Sequence, residues 1–199
     1  MSGFWVVIIS YLIGSIPVSY LVTRYWKGID IRRFGSGNVG ATNVWRNAGP
    51  LAGITALAGD VAKGVAAVIL ARHFGDSSLV SLSAVAVLVG HGWPLFLGFK
   101  GGKLVATGAG VIAAISLPVT AIAVAIWLMV VFVFRYISAG SIAAIISIPV
   151  LMFLFHLEAP YLAVGVFAAL FSLYKHIPNM KRLATGTEPK ISLKINRRR

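Results

Sequence analysis

The densest polar stretch of this chain is Gly35-Ser36-Gly37-Asn38-Val39-Gly40-Ala41-Thr42-Asn43-Val44-Trp45-Arg46-Asn47-Ala48-Gly49. Glycines let a backbone turn successive N–H groups into one concavity, and such a concavity binds anions. Arg46 adds a planar fork of donors suited to phosphate or carboxylate. A second cluster repeats the theme, with Gly90-His91-Gly92-Trp93-Pro94 followed by Gly98-Phe99-Lys100-Gly101-Gly102-Lys103. Here flexible amides and two ammonium groups lead into a helix N-terminus, again an anion site in character. A third cluster, Lys175-His176-Ile177-Pro178-Asn179-Met180-Lys181-Arg182, continues to Gly186-Thr187-Glu188. The chemistry these residue types favour is recognition of phosphate-like anions.

Two nucleotide motifs are excluded. Gly35-x-Gly37-x-x-Gly40 has the spacing of a dinucleotide fingerprint, and Asp60 lies twenty residues beyond Gly40. That fingerprint needs a preceding strand and a βαβ unit. Ile31-Arg32-Arg33-Phe34 is too short and too basic for the strand, and Asp60 falls inside an apolar helical run. Gly98-x-x-x-Gly102-Lys103-Leu104 is one residue short of a Walker loop and lacks the Ser or Thr that would hold Mg²⁺.

The elements that must position these clusters are membrane helices. With 199 residues, 58% of them hydrophobic, and only 12% charged, the composition is that of a polytopic membrane protein. Mean hydropathy is +0.89. One all-α bundle over residues 1–199 is expected, with 176–199 as a basic cytoplasmic tail. The absence of cysteine excludes thiol catalysis, disulfides and thiolate metal sites. The first apolar run lacks a basic start and a small-x-small cleavage pattern, so it reads as a retained helix. The formal net charge of +13 suggests nucleic acid only until its distribution is examined.

Apolar runs cover roughly 4–23, 51–71, 78–97, 104–117, 118–134, 138–155 and 159–174. Ser116-Leu117-Pro118 divides the fourth from the fifth, since proline disfavours helix in the residue before it. Trp93-Pro94-Leu95 breaks the third and allows a re-entrant turn there. Seven helices with the N-terminus outside put sixteen of the eighteen Lys and Arg residues on the cytoplasmic side. Only Arg72 is then outside and Lys63 within a helix, as basic residues flanking membrane helices require. The glycine-rich loops all fall on that face, and nucleic acid is not an expected partner. Asp60 and Lys63, at i and i+3 beside Ala56, Gly64 and Ala67, read as an ion pair facing the bundle. Ser138 reads as the cap of the sixth helix.

The three clusters, in this order, resemble those of the bacterial acyl-phosphate-dependent glycerol-3-phosphate acyltransferases, the PlsY family. The resemblance rests on GSGNVGATNVWRNAG at 35–49, GHGWPLFLGFKGGKLVAT at 90–107 and HIPNMKRLATGTE at 176–188, and it covers nearly the whole chain. It implies a multi-pass enzyme of the bacterial inner membrane with its active site at the cytoplasmic face. The implied reaction moves a fatty acyl group from acyl phosphate to the 1-hydroxyl of glycerol 3-phosphate, giving lysophosphatidic acid and phosphate. Neither a metal, a cofactor nor a coenzyme A donor is implied. The resemblance carries across Ser36, Arg46, Lys103, Ser141, His176, Asn179 and Glu188 as site residues. Beside them Gly37, Asn38, Thr42, Asn43, His91, Lys100, Gly101 and Gly102 are expected to bind substrate. Leu104 stands where the family repeats glycine, an expected narrowing of the loop's approach to phosphate. Ile177-Pro178 stands where the family carries a charged pair, which removes charge near the site.

Both substrates of that reaction are phosphate anions and one is a lipid. Arg46, Lys103 and Ser141 are assigned to the glycerol phosphate, Ser36, Asn38 and the loop amides to the acyl phosphate, and Asn179 and His176 to bracing the first loop. No Ser-His-Asp or Cys-His pair is evident, and a substrate phosphate, with a second pKa of ~6, is itself within reach of general-base work. The rival class is a transporter or flippase for a phosphorylated solute or lipid. Inverted repeats would place equivalent motifs on opposite faces. Gly37-x-x-x-Ala41-Thr42 and Gly102-x-x-x-Ala106-Thr107 instead recur two helices apart, on one face. Composition leaves chain-length preference and oligomeric state open, and a monomer is compatible with it.

Overall fold

The computed structural model describes residues 3–191. Regular structure within them is entirely helical: α1 (Gly3–Ser15), α2 (Val18–Lys27), α3 (Ala41–Ala48), α4 (Pro50–Phe74), α5 (Ser77–Gly92), α6 (Val105–Ile115), α7 (Leu117–Phe134), α8 (Ile137–Leu154) and α9 (Ala159–Ala184). Short 3-10 turns lie at Ile31–Arg33 and Leu95–Leu97. Six stretches are long and apolar enough to cross a membrane: 3–27, 50–74, 77–97, 117–134, 137–154 and 159–184. The remaining apolar helix, α6, has 11 residues. At 1.5 Å per residue it extends about 16 Å, half the thickness of a hydrocarbon core.

Proline and local polarity set the breaks. Pro17 lacks an N–H, and the first span divides into α1 and α2 on either side of it. Ser116 is extended (φ −149°) between α6 and α7, at the division expected from Pro118. Asp76 caps α5 by accepting from the Ser78 and Leu79 amides, both at 3.1 Å. Two sequence expectations change. Tyr136, not Ser138, occupies the N-cap of α8, because the first helical bond runs from Gly140 N–H to the Tyr136 carbonyl (3.2 Å). Residues 176–184, expected to open the tail, continue α9, so His176, Asn179 and Arg182 stand on one rigid helix. From residue 192 onward the basic tail lies outside the described residues.

The bundle is held by close backbone approach. Gly14 of α1 meets the Val87 carbonyl of α5, and Gly90 of α5 meets the Tyr11 carbonyl of α1, with no room for a Cβ at either. On α4 the small stripe is buried as expected, with Ala56 and Ala67 at 0% exposure. Its ion pair also forms, Lys63 Nζ standing 2.9 Å from Asp60 Oδ1. Lys63 Nζ then donates to the carbonyls of Gly14 (3.0 Å) and Ile16 (3.1 Å). These belong to the break in the first span, where the helical ladder is interrupted. The buried ammonium therefore satisfies backbone acceptors that lipid cannot.

Candidate functional site

The first glycine loop is shaped from within by Asn43. Its Oδ1 accepts from the Ser36 amide (3.2 Å) and from Asn47 Nδ2 (3.0 Å). Its Nδ2 reaches the carbonyls of Phe34 (3.0 Å) and Asn38 (3.1 Å). Gly35 (φ +58°) and Gly37 (φ +69°) supply the left-handed turns that wrap the loop around that one side chain. Asn43 is 4% exposed and committed to the loop, so its expected contribution to binding is indirect. Ser36 is exposed, and its Oγ accepts from the Asn38 amide at 3.4 Å. Thr42 lies in the first turn of α3, which carries Arg46 toward its far end.

The second loop folds back on the bundle. The Leu95 amide donates to Ser15 Oγ (3.3 Å), and Tyr11 Oη donates to the Trp93 carbonyl (3.1 Å). Ser15 is at the middle of the first span, so the turn lies at the level of that span's break. His91 is buried beneath the loop. Its carbonyl accepts from the Gly102 amide (3.1 Å), and Nδ1 lies 3.1 Å from Thr107 Oγ1 and 3.6 Å from Asp60 Oδ1. Gly101 and Gly102 press against His91 so closely that neither has space for a Cβ, and Gly102 also meets the Val39 carbonyl of the first loop. His91 thus joins the ion pair to the underside of both loops. Lys100 is exposed on the outer side of the second loop.

Leu104 is the turn from this loop into α6, at φ +70°. The position favours glycine, and leucine there carries strain of ~1–2 kcal/mol. Its side chain is 2% exposed and packs in the main core. Leu104 therefore turns away from the loop's mouth, so the narrowing expected from it does not arise from its side chain. Ile177 and Pro178 likewise sit on the exposed face of α9, opposite buried His176 and Asn179.

Beyond the loops, side chains from four elements converge. Lys103 Nζ donates to Asn179 Oδ1 at 2.6 Å, and Asn179 Nδ2 donates to Glu188 Oε1 at 2.7 Å. Arg182 Nε donates to the other Glu188 oxygen at 2.7 Å. Arg46 reaches the same place from α3 and donates to the Pro189 carbonyl (3.4 Å). Burial lowers the Lys103 pKa to about 8; Glu188 opposes that shift, while Arg182 and Arg46 add to it. For Glu188 burial acts upward, but the polar groups of Ser138, Asn179 and Arg182 outweigh it and hold the carboxyl below its ordinary value. The result is three cations around a single carboxylate, half-shielded from solvent. Such a cluster lacks a second anion and suits a phosphate dianion.

His176 is 2% exposed and its Nδ1 lies 2.8 Å from the Ser172 carbonyl. Ser172 Oγ donates to the Lys103 carbonyl at 2.7 Å. One turn of α9 thereby fixes both the histidine ring and the backbone that carries Lys103. Ser141 Oγ donates to the Ile137 carbonyl (2.9 Å) and accepts from Trp127 Nε1 (3.3 Å). Ser172, Trp127 and Arg182 were not singled out from sequence as site residues. Ser172 carried a usable signal, standing four residues before His176 on the same helical face. Trp127 carried none. Among the described residues no three His, Asp or Glu side chains gather as a metal site would require.

Comparison with known proteins gives one answer. The family model described as glycerol-3-phosphate acyltransferase matches residues 4–186. The glycerol-3-phosphate acyltransferase of Desulforamulus reducens is 48% identical over 190 residues, 95% of each chain. That of Desulforudis audaxviator is 46% identical, covering 94% of each. The crystal structure of PlsY (YgiH), an integral membrane glycerol 3-phosphate acyltransferase, in its glycerol 3-phosphate form superposes with a TM-score of 0.93, at 37% identity and 96% coverage of both chains. Its lysophosphatidic acid form gives 0.91 at 36% identity, again over 96% of both chains.

Proposed function

This chain belongs to the glycerol-3-phosphate acyltransferase family, and on that premise we propose that its cation cluster performs the family's reaction with acyl phosphate as the donor. It is an integral membrane acyltransferase whose acceptor is glycerol 3-phosphate and whose product is lysophosphatidic acid. The observation that carries the finer reading is the convergence of Arg46, Lys103 and Arg182 on the linked Asn179, Glu188 and Pro189, with Glu188 the carboxylate among them. It supports a site for an acceptor phosphate, with the exposed Ser36 of the first glycine loop available to a second one.

In this reading Arg46 and Lys103 hold the phosphate of glycerol 3-phosphate, with Ser141 at the start of α8 completing its contacts. Ser36, Asn38, Gly37 and the amides of the first loop take the phosphate of the donor. Thr42, Lys100, Gly101 and Gly102 border the same anions, while Asn43 and His91 hold the loops in shape. Asn179 and His176 fix Lys103 from α9. The 1-hydroxyl oxygen attacks the acyl carbon, the carbon–oxygen bond to phosphate breaks, and phosphate leaves with the electron pair. The hydroxyl proton passes to a phosphate oxygen. An acyl phosphate is already activated, so positioning and neutralisation of charge supply most of the acceleration.

In this reading short α6 with its flanking loop serves as a seventh crossing beside the six long apolar stretches, the N-terminus is outside, and all three clusters lie at the cytoplasmic face of a bacterial inner membrane. The basic residues Arg24, Lys27, Arg32 and Arg33 at the end of the first span support this orientation. The test uses purified protein and long-chain acyl phosphate or acyl-CoA, each with glycerol 3-phosphate. Turnover of acyl phosphate only when acceptor is present is expected, and turnover of acyl-CoA alone would refute the donor assignment. Single cysteines within 35–49, probed in intact cells with an impermeant thiol reagent, should remain unlabelled; labelling there would refute the orientation.

A further inference from the structure

Helical threonines of this chain return their hydroxyl to the carbonyl four residues back, as Thr23 does to Ser19 (3.0 Å), Thr55 to Leu51 (3.0 Å) and Thr120 to Ser116 (3.1 Å). Thr107, in the first turn of α6, does not. The carbonyl four residues before it, that of Lys103, accepts from Ser172 Oγ (2.7 Å), and Leu104 at φ +70° separates that carbonyl from the helix. The fully buried Thr107 Oγ1 lies 3.1 Å from His91 Nδ1 on α5. A buried hydroxyl committed to another helix joins two elements, where one bonded within its own helix joins none.

Close backbone packing sets the place of Thr107. Gly64 of α4 meets the Thr107 carbonyl, and Gly110 of α6 meets the Val61 carbonyl, with no room for a Cβ at either. Asp60 of α4 then stands beside the same imidazole, its Oδ1 3.6 Å from His91 Nδ1. Asp60 is itself held by Lys63 (2.9 Å) and by Ser19 Oγ of α2 (3.3 Å). The His91 ring is therefore gripped at Nδ1 from α4 and α6. Its other nitrogen, Nε2, and Cε1 press on Gly102 of the second loop, where the Val39 carbonyl of the first loop crowds the same space. Val39 shares one buried cluster with Val44 and with Leu97 from the 3-10 turn of the second loop, so its backbone has little freedom to retreat. The two loops and the imidazole thus meet at Gly102.

We propose that Thr107 is a positioning residue for acyl transfer, setting the spacing of the two glycine loops through the His91 ring. This rests on the reading above, in which the first loop holds the donor and Lys103, at the end of the second, holds the acceptor. Thr107 has no exposed surface and touches neither substrate. Its hydroxyl fixes the rotation of the imidazole. The imidazole in turn fixes how closely Gly102, the residue before Lys103, approaches the first loop. Loops that each bind their own phosphate at the wrong separation hold substrates that do not react. A displacement of ~1 Å between the acceptor oxygen and the acyl carbon costs roughly a hundredfold in rate. The loss falls on kcat and spares both KM values, since each phosphate keeps its own contacts.

The test compares purified Thr107→Val, which keeps the shape and removes the hydroxyl, with Thr107→Ser, which keeps the hydroxyl. Acyl phosphate and glycerol 3-phosphate are varied in turn. Thr107→Val should lose roughly tenfold to a hundredfold in kcat, with each KM within about threefold of wild type, and Thr107→Ser should stay within about threefold throughout. A second measurement is independent of turnover. The chain has no cysteine, so Ser36→Cys and Lys100→Cys, both exposed and one in each loop, can carry a pair of spin labels. Their distance distribution should shift or broaden when Thr107→Val is added and stay unchanged with Thr107→Ser. Where Thr107→Val does not fold, His91→Asn, too short to support Gly102, should show the same loss of kcat and the same broadening. A raised KM for one substrate at unchanged kcat would make Thr107 part of a binding subsite and overturn the proposal. Equal losses in the valine and serine variants would overturn it as well, as would a distance distribution that the valine leaves unmoved. Wild-type enzyme inactive with this substrate pair would instead overturn the reaction reading, while the spin labels still test the spacing of the loops.

Discussion

Glu188→Gln separates electrostatic support from proton transfer. Glu188 is 8% exposed and accepts at 2.7 Å from both Asn179 and Arg182. A glutamine presents oxygen to only one of them and sets its NH₂ against the other donor. One charge-assisted hydrogen bond is lost, ~1.5–3 kcal/mol, and a buried donor is left without an acceptor. The second effect acts through charge. Glu188 sustains the Lys103 ammonium, whose pKa is already lowered to about 8. The two charges are joined through the Asn179 amide, a separation of ~7 Å, at which a unit charge contributes ~2 kcal/mol for an effective dielectric of ~20. Removing it should lower the Lys103 pKa by on the order of one unit. The sign follows: the ammonium, and with it affinity for the phosphate dianion, is lost as pH rises through that pKa. Wild-type KM for glycerol 3-phosphate should therefore climb above pH about 8. In Glu188→Gln the climb should begin about one unit earlier, with much of the activity recovered below pH ~7. Initial rates across that range, with saturating acyl phosphate, supply the measurement. An unmoved alkaline limb would refute the charge coupling, and equal loss of kcat at every pH would make Glu188 part of the proton path.

Arg46→Ala should raise KM for glycerol 3-phosphate roughly tenfold to hundredfold, with Arg46→Lys recovering only part because an ammonium lacks the guanidinium fork. A collapse of kcat at unchanged KM would instead place Arg46 on the transition state. Lys63→Met leaves Asp60 buried without its cation and the Gly14 and Ile16 carbonyls without their donor, so a loss of ~3–5 kcal/mol is expected, read as a lower Tm in detergent. An unchanged Tm would show that the pair does not hold the break in the first span. At Leu104, Gly should be tolerated better than Ala, the reverse of ordinary core behaviour, because φ +70° penalises any Cβ while both variants lose the same buried side chain. A more stable Ala variant in thermal unfolding would refute that account.

Much of this protein follows from sequence alone because the signals are local. Length and hydropathy mark the spans, Pro118 sits at a real break, and the Asp60–Lys63 spacing by itself puts both charges on one face of α4. The three polar clusters stand out against apolar helices, and their residues carry the family resemblance. Other features were fixed only by tertiary structure. Lys103 and Asn179 meet across 76 residues, and Ser172 reaches the Lys103 carbonyl across 69. His91 finds Asp60 and Thr107, and Trp127 finds Ser141, through the rotation of whole helices about their axes. A helix that is apolar on every side shows no stripe to say which face turns inward. That rotation is set instead by which backbones approach most closely, as Gly14 and Gly90 do, and a contact between two distant helices leaves no period in either sequence.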